Sequence, residues 1–155
     1  MAHHIPPLNF GMVADDLYRS EKLQLKKIIF LAPDDPSQQF QNFVEDQDIE
    51  LIHLGMDTHQ NPWNPISEEI VISALKIILN PDNYPLHIMC NLGRHRTGTV
   101  VGCLRKLQRW NLTSIFEEYR RFAGSKVKLL NEQFIELFDT DLVTYNNAPQ
   151  WLYLS

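Results

Sequence analysis

Eight consecutive residues, Cys90-Asn91-Leu92-Gly93-Arg94-His95-Arg96-Thr97, have the types and spacing to capture a phosphate and attack it. A cysteine, five intervening residues, then an arginine and a hydroxyl residue can wrap a dianion and set sulfur behind its phosphorus. A cysteine is nucleophilic only as the thiolate. Loop N–H groups, the N-terminus of a following helix and the Arg96 guanidinium would all stabilise that anion. Arg96 has the planar fork that holds two phosphoryl oxygens, which a lysine does not reproduce. Gly93 lets the backbone curl its N–H groups inward, and Asn91, Leu92, Arg94 and His95 complete the cradle. The Thr97 hydroxyl can hydrogen-bond the sulfur and help it leave a cysteinyl-phosphate. The implied reaction is a two-step displacement through a covalent intermediate, with positioning and charge stabilisation supplying most of the rate.

The second step requires a proton donor for the leaving group. Asp57, on a polar loop that could close over the phosphate, is the first candidate. His59 is the second, because an ordinary imidazole exchanges protons near physiological pH. Arg94, His95, Lys126 and Lys128 could ring the pocket as further anion contacts, though each taken singly reads equally as solvated surface. The competing reading of Cys90 is a buried core thiol, a common fate of cysteine. Gly93, Arg96 and Thr97 after a strand argue against it. For Cys103, inside an apolar helical pattern, the core reading holds. Glu117 and Glu118 read as structural partners of nearby arginines.

The elements around the loop must present it at a strand end. Leu86-His87-Ile88-Met89 reads as a short buried strand closed by Cys90, and Gly98 onward reads as a helix running to Trp110. The loop therefore lies where oriented N–H groups and the helix dipole favour an anion. Upstream, residues 9–13 and 17–19 suggest a hairpin. Residues 27–32 predict a buried strand ended by Pro33-Asp34-Asp35-Pro36, Ser37 caps a helix to about Asp46, and 49–55 is the next strand. Residues 57–65 form a proline-bearing polar loop, and Ser67 starts an amphipathic helix reaching Asn80-Pro81. Asn111 or Thr113 caps a helix that Gly124 ends. A last helix spans about 129–138, and the chain after Asp141 is expected to be extended. Strands alternating with helices predict an α/β single domain with a mainly parallel central sheet flanked by helices. Both Cys90 and Asp57 fall just past strand carboxyl ends, the usual place for a site in such sheets.

With 155 residues, the chain is long enough to bury one core without staples. Its domain is read as residues 6–143, with a tail over 144–155 and a tag-like remnant at 1–4. Net charge is −5, unevenly spread. Residues 1–85 carry 13 acidic and 5 basic side chains, whereas 86–155 carry 6 and 9. A basic half around a phosphate-shaped loop favours a compact anionic ligand over nucleic acid, which calls for a broad basic surface. Two cysteines make no disulfide framework, and neither a membrane-spanning run nor a signal-peptide pattern is present, which predicts a cytoplasmic protein.

Cys90 through Gly98, then 101–108 and Glu118-Tyr119-Arg120-Arg121-Phe122-Ala123, resemble the plant and fungal atypical dual-specificity phosphatases. Phe10-Gly11-Met12-Val13 and Leu17-Tyr18-Arg19-Ser20 look like that family's opening, and 133–139 like its close. The resemblance runs from about Pro6 to Leu142 and is closest to the fungal branch. It implies a cysteine-phosphatase fold, no metal or other cofactor, and a cytosolic setting. The implied substrates are phosphorylated anions, either phosphotyrosine protein or inositol pyrophosphate, with the latter slightly favoured. Association with related family members is the implied partnership. Residue by residue, Arg94, His95, Lys126 and Lys128 match basic positions of the family, Asp57 an acidic one and His59 a histidine.

Three departures stand out. Met89 occupies the place before the cysteine where the superfamily usually has a histidine that orders the loop. His87 shares its strand face but lies one repeat away, about 7 Å, too far to substitute. Gln60 stands where relatives often have lysine, and the stretch after Ser20 is shorter than theirs. Met89 motivates a rival reading, a phosphate-binding interaction module with little turnover. A sulfur-transfer or redox thiol protein would give Arg96 and Thr97 no role.

Overall fold

The computed structural model describes residues 11–14, 17–19, 25–55, 66–90 and 95–153. Its five strands are β1 (Gly11–Ala14), β2 (Leu17–Arg19), β3 (Lys27–Phe30), β4 (Glu50–His53) and β5 (Leu86–Met89). The five α-helices are α1 (Gln38–Asp46), α2 (Glu68–Ile78), α3 (Arg96–Leu107), α4 (Leu112–Ala123) and α5 (Leu129–Leu137). The strands form one sheet in the order β1-β2-β5-β3-β4. β1 and β2 are the expected antiparallel hairpin, while β2–β5, β5–β3 and β3–β4 pair in parallel. The predicted α/β architecture is therefore present, and β5 lies at its centre. Parallel pairing of β3, β4 and β5 brings the segments leaving them, at Leu31, Leu54 and Cys90, to one edge of the sheet.

Parallel strands are buried on both faces, and alternation along them divides the core in two. Ile29, Leu31, Leu86, Ile88 and Cys90 face α2, α3, α4 and α5, meeting Val71, Leu75, Ile78, Val100, Leu104, Ile115 and Ile135. Ile28, Phe30, Ala32 and Met89 face the other way, onto Val44 of α1 with Phe40 and Phe43 beside it. Each fully buried aliphatic side chain of this kind contributes about 1.5–3 kcal/mol relative to exposure. Helix α3 is the central one, buried from Thr97 through Arg105. Gly102 permits α5 to cross it closely, since a Cβ there would lie 2.5 Å from Ile135 Cδ1.

The predicted caps are in place. Ser37 Oγ accepts from Phe40 N–H, Ser67 Oγ from Ile70 N–H, and Asn111 Oδ1 from Ser114 N–H. The choice between Asn111 and Thr113 thus falls to Asn111. Gly124, at φ 61° and ψ −130°, ends α4 in a backbone region closed to other residues. Strands β3 and β4 are each shorter than expected, and both ends of α3 are displaced. Helix α3 begins at Arg96 instead of Gly98, so that Arg96 and Thr97 belong to its first turn. It ends at Leu107, short of Trp110, because Arg109 adopts φ 65°. The chain after Asp141 is not extended throughout: 3₁₀ turns form at Thr140–Leu142 and Gln150–Tyr153, and Trp151 and Leu152 are buried in the larger core.

Candidate active site

Cys90 follows the central strand directly, 8% exposed, with its side chain on the α3 face. Thr97, fully buried one residue into α3, donates its hydroxyl to Cys90 Sγ at 3.1 Å. The predicted sulfur–hydroxyl contact is therefore made, between residues seven positions apart in the chain. It is made because α3 starts two residues earlier than the apolar pattern alone suggests. His95 occupies the cap position of α3 without capping it through its side chain. Its carbonyl accepts the Thr99 N–H at 2.9 Å and the Thr99 hydroxyl at 2.7 Å. No acidic residue sits in the first turn of α3, whereas α2 begins with Glu68 and Glu69. A negative group at the start of α3 would compete with an anion for the same N–H groups and dipole.

Arg96 is partly buried and donates Nη1 to the Leu31 carbonyl at 3.0 Å. The Leu31 N–H in turn donates to the Met89 carbonyl at 2.8 Å. One residue beyond β3 thus touches both the peptide preceding Cys90 and the arginine that closes the loop. Ala32, next in line, has its carbonyl 2.7 Å from His53 Nε2. A carbonyl only accepts, so Nε2 carries the proton. The His53 ring packs on Phe30 with centroids 5.0 Å apart, and its Nδ1 lies 4.0 Å from Asp35 Oδ1.

Lys128 stands at the start of α5, partly buried, and its N–H donates to the Tyr119 hydroxyl at 3.4 Å. Asn131 Nδ2 donates to the same oxygen at 3.0 Å. Burial raises the Tyr119 phenol above its ordinary range, opposed by these two hydrogen bonds, while the nearby Glu132 adds to the rise. Arg120 grips Glu132 through Nε at 2.6 Å and Nη2 at 3.0 Å, which raises the guanidinium further. These contacts tie the 124–128 segment to α4 and α5. Lys126 lies in the 3₁₀ turn Gly124–Lys126. Asp57, His59, Gln60, Asn91, Leu92, Gly93 and Arg94 fall outside the described residues. Glu118 pairs, as expected, with an arginine: Arg105 Nε and Nη2 reach its two oxygens at 3.1 and 3.0 Å, both residues being buried.

Cys103 is fully buried in the core, and desolvation pushes its thiol well above the ordinary range despite the lowering influence of Lys106. It is an inert core residue, as its helical context predicts. Among the described residues no group of three or more His, Cys, Asp or Glu side chains could hold a metal ion. Nor is any of their helices long and apolar enough to cross a membrane. Residues that the sequence reading passed over are Leu31, whose role is carried entirely by its backbone, and Gly55. Both are positions where no side-chain chemistry signals a function.

A buried thiol at the carboxyl edge of a mostly parallel sheet, bonded by a hydroxyl from the next helix, marks the class of the cysteine phosphatases. The chain matches the tyrosine phosphatase family model over residues 4–155 and belongs to that family. It is a phosphatase, a hydrolase acting on a phosphorylated substrate. It is 93% identical, over all of both chains, to "Probable tyrosine-protein phosphatase DG1060" of Dictyostelium discoideum. That alignment spans 166 positions, against the 155 residues of this chain. The chain is 44% identical to "Inositol diphosphatase SIW14" of Saccharomyces cerevisiae, covering 88% of this chain and 53% of that one. The crystal structure of the core catalytic domain of that PP-IP phosphatase, in complex with citrate, superposes with a TM-score of 0.80 at 42% identity, covering 88% and 89% of the two chains. A second structure of the same catalytic core gives a TM-score of 0.82 at 40% identity over 91% and 90%.

Proposed function

We propose that Cys90 is the nucleophile of a two-step phosphatase whose preferred substrate is an inositol pyrophosphate, with phosphotyrosine protein as the second class. The observation that carries the nucleophile is the Thr97 hydroxyl donated to Cys90 Sγ at 3.1 Å in a buried setting. A hydroxyl aimed at sulfur stabilises the thiolate before attack and again when it departs. Sulfur attacks phosphorus, the bond to the leaving oxygen breaks, and Arg96 with the first N–H groups of α3 holds the equatorial oxygens. Asp57 donates a proton to the leaving oxygen, with His59 as the alternative donor. It then takes one from the water that cleaves the S–P bond, releasing phosphate and restoring the thiolate. A phosphate leaving group, whose second pKa is about 6, needs less protonation than a tyrosine oxygen. The preference for a pyrophosphate is supported by the yeast relative named as an inositol diphosphatase. It is supported also by Arg94, His95, Lys126 and Lys128, proposed as contacts to the remaining phosphates. The working compartment is proposed to be the cytoplasm.

The test is phosphate release from an inositol pyrophosphate and from a phosphotyrosine peptide, with Cys90→Ser as control. Release from the pyrophosphate is expected to fall by more than about a thousandfold in the variant, as when a nucleophile is lost. Turnover unchanged by Cys90→Ser would refute the assignment. Absence of turnover in the unaltered protein, with phosphate still bound, would favour the binding module that Met89 suggests.

A further inference from the structure

We infer that the exit of β3 is a brace for phosphate capture, and that Gly55 and His53 are positioning residues for Arg96. The inference rests on Arg96 being the phosphate clamp proposed above. Leu31 contacts both ends of the loop through one peptide unit on each side: its N–H meets the carbonyl of Met89, and its carbonyl meets Arg96 Nη1. The distance and direction between nucleophile and guanidinium are therefore referred to a single rigid segment. That segment is held from the β4 side. Leu54 N–H donates to the Phe30 carbonyl at 3.0 Å, and His53 Nε2 donates to the Ala32 carbonyl at 2.7 Å.

Gly55 then presses directly on the brace. A Cβ at this position would lie 2.1 Å from the Ala32 oxygen and 2.4 Å from the Leu31 oxygen. Both are backbone atoms, and neither can swing aside as a side-chain end would. Reaching ordinary contact requires β3 and β4 to part by about 1 Å at this edge. The Leu31 oxygen is the acceptor of Arg96, so its displacement moves the guanidinium or breaks the bond. A charge-assisted bond to an anion is sensitive to both distance and direction. Position 55, just past the strand two places from β5, is thus small because Arg96 must stay where the Leu31 carbonyl holds it.

The experiment measures competitive inhibition by inorganic phosphate and the KM and kcat for an aryl phosphate. Gly55→Ala is expected to weaken phosphate inhibition and raise KM by about tenfold, the scale of an ångström-level misplacement. Gly102→Ala is the matched control, because it also forces a close contact, against Ile135, but on the far side of α3. It is expected to lower the melting temperature while leaving phosphate inhibition within about twofold. Equal phosphate inhibition in Gly55→Ala and the unaltered protein overturns the inference. Should Gly55→Ala fail to fold, His53→Leu loosens the same carbonyl pair without added bulk. It is expected to weaken phosphate inhibition about threefold, and His53→Gln, which keeps an N–H donor, is expected to restore it. His53→Leu with unaltered inhibition also overturns the inference. Arg96→Lys separates the two levels. If it leaves phosphate inhibition unchanged, the clamp itself is wrong and the brace falls with it. If it weakens inhibition while Gly55→Ala and His53→Leu do not, the brace alone is wrong.

Discussion

Met89 stands where the family resemblance leads one to expect a histidine, and its surroundings give that departure a physical meaning. Its side chain is 8% exposed and joins Ile28, Phe30, Ala32 and Val44 in the apolar layer under α1. Methionine fills such a layer without asking for a hydrogen-bond partner. Met89→His, examined at pH 8 where an ordinary imidazole is neutral, is expected to cost about 1–3 kcal/mol of stability, the penalty for burying a polar ring among apolar neighbours. Urea unfolding measures it directly. Unchanged stability would mean that this side of the sheet offers a partner to the ring, and that ordering of the loop by histidine is still available to this chain. Thr97 stands in contrast to Met89: it is buried as deeply, but its hydroxyl has a partner in Cys90 Sγ.

At the scale of elements, the join between α4 and α5 positions the two lysines proposed to meet the outer phosphates. Gly124 turns the chain, and the Tyr119 hydroxyl then accepts from both Lys128 N–H and Asn131 Nδ2. The tyrosine ring belongs to the apolar core, so its hydroxyl is the only part that phenylalanine would delete. Tyr119→Phe is expected to cost about 1–2 kcal/mol, since one buried and one partly buried donor lose their acceptor while the packing stays. Amide hydrogen exchange should speed up at Lys128 more than in the interior of α3. Equal protection at Lys128 in the two proteins would show that the segment is held by other contacts, the Arg120–Glu132 pair foremost.

At the scale of the whole molecule, the last described turn closes the core. Trp151 packs edge-on against Tyr84 with ring centroids 6.4 Å apart, and Leu152 is fully buried. Gln108 Nε2 reaches the Trp151 carbonyl at 3.5 Å, and Gln108 Oε1 accepts from Arg105 Nη1 at 2.9 Å. Arg105 also binds Glu118 and stacks 4.1 Å over the Trp110 ring. The end of the chain is thereby joined to a buried ion pair between α3 and α4. Trp151→Ala is expected to cost about 3–5 kcal/mol, the usual range for emptying a buried aromatic position. A change below about 1 kcal/mol, the scale of surface substitutions, would show that the terminal turn is only laid on the domain.

Much of this architecture is local and was legible in the sequence. Alternating apolar runs, capping residues and Gly124 specify strands and helices through nearest-neighbour sterics and hydrogen bonds, which need no distant partner. Thr97 lies within a hydrogen bond of Cys90, as the spacing of the two residues predicts. The terminal turn was misread as extended because its stability comes from Trp151 and Leu152 meeting a core more than forty residues upstream. Long-range burial leaves no periodic trace in so short a segment. The start of α3 at Arg96 was likewise obscured, since polar residues in a first turn do not continue an apolar face. By itself the sequence placed Cys90 at the end of a buried strand, its hydroxyl partner Thr97 close behind, and the helix that follows. Only the tertiary structure decided that Arg96 is referred to the Leu31 carbonyl and that Gly55 presses on it. Both contacts fall on the Leu31 carbonyl, a backbone group far away in the chain, where residue type carries no signal.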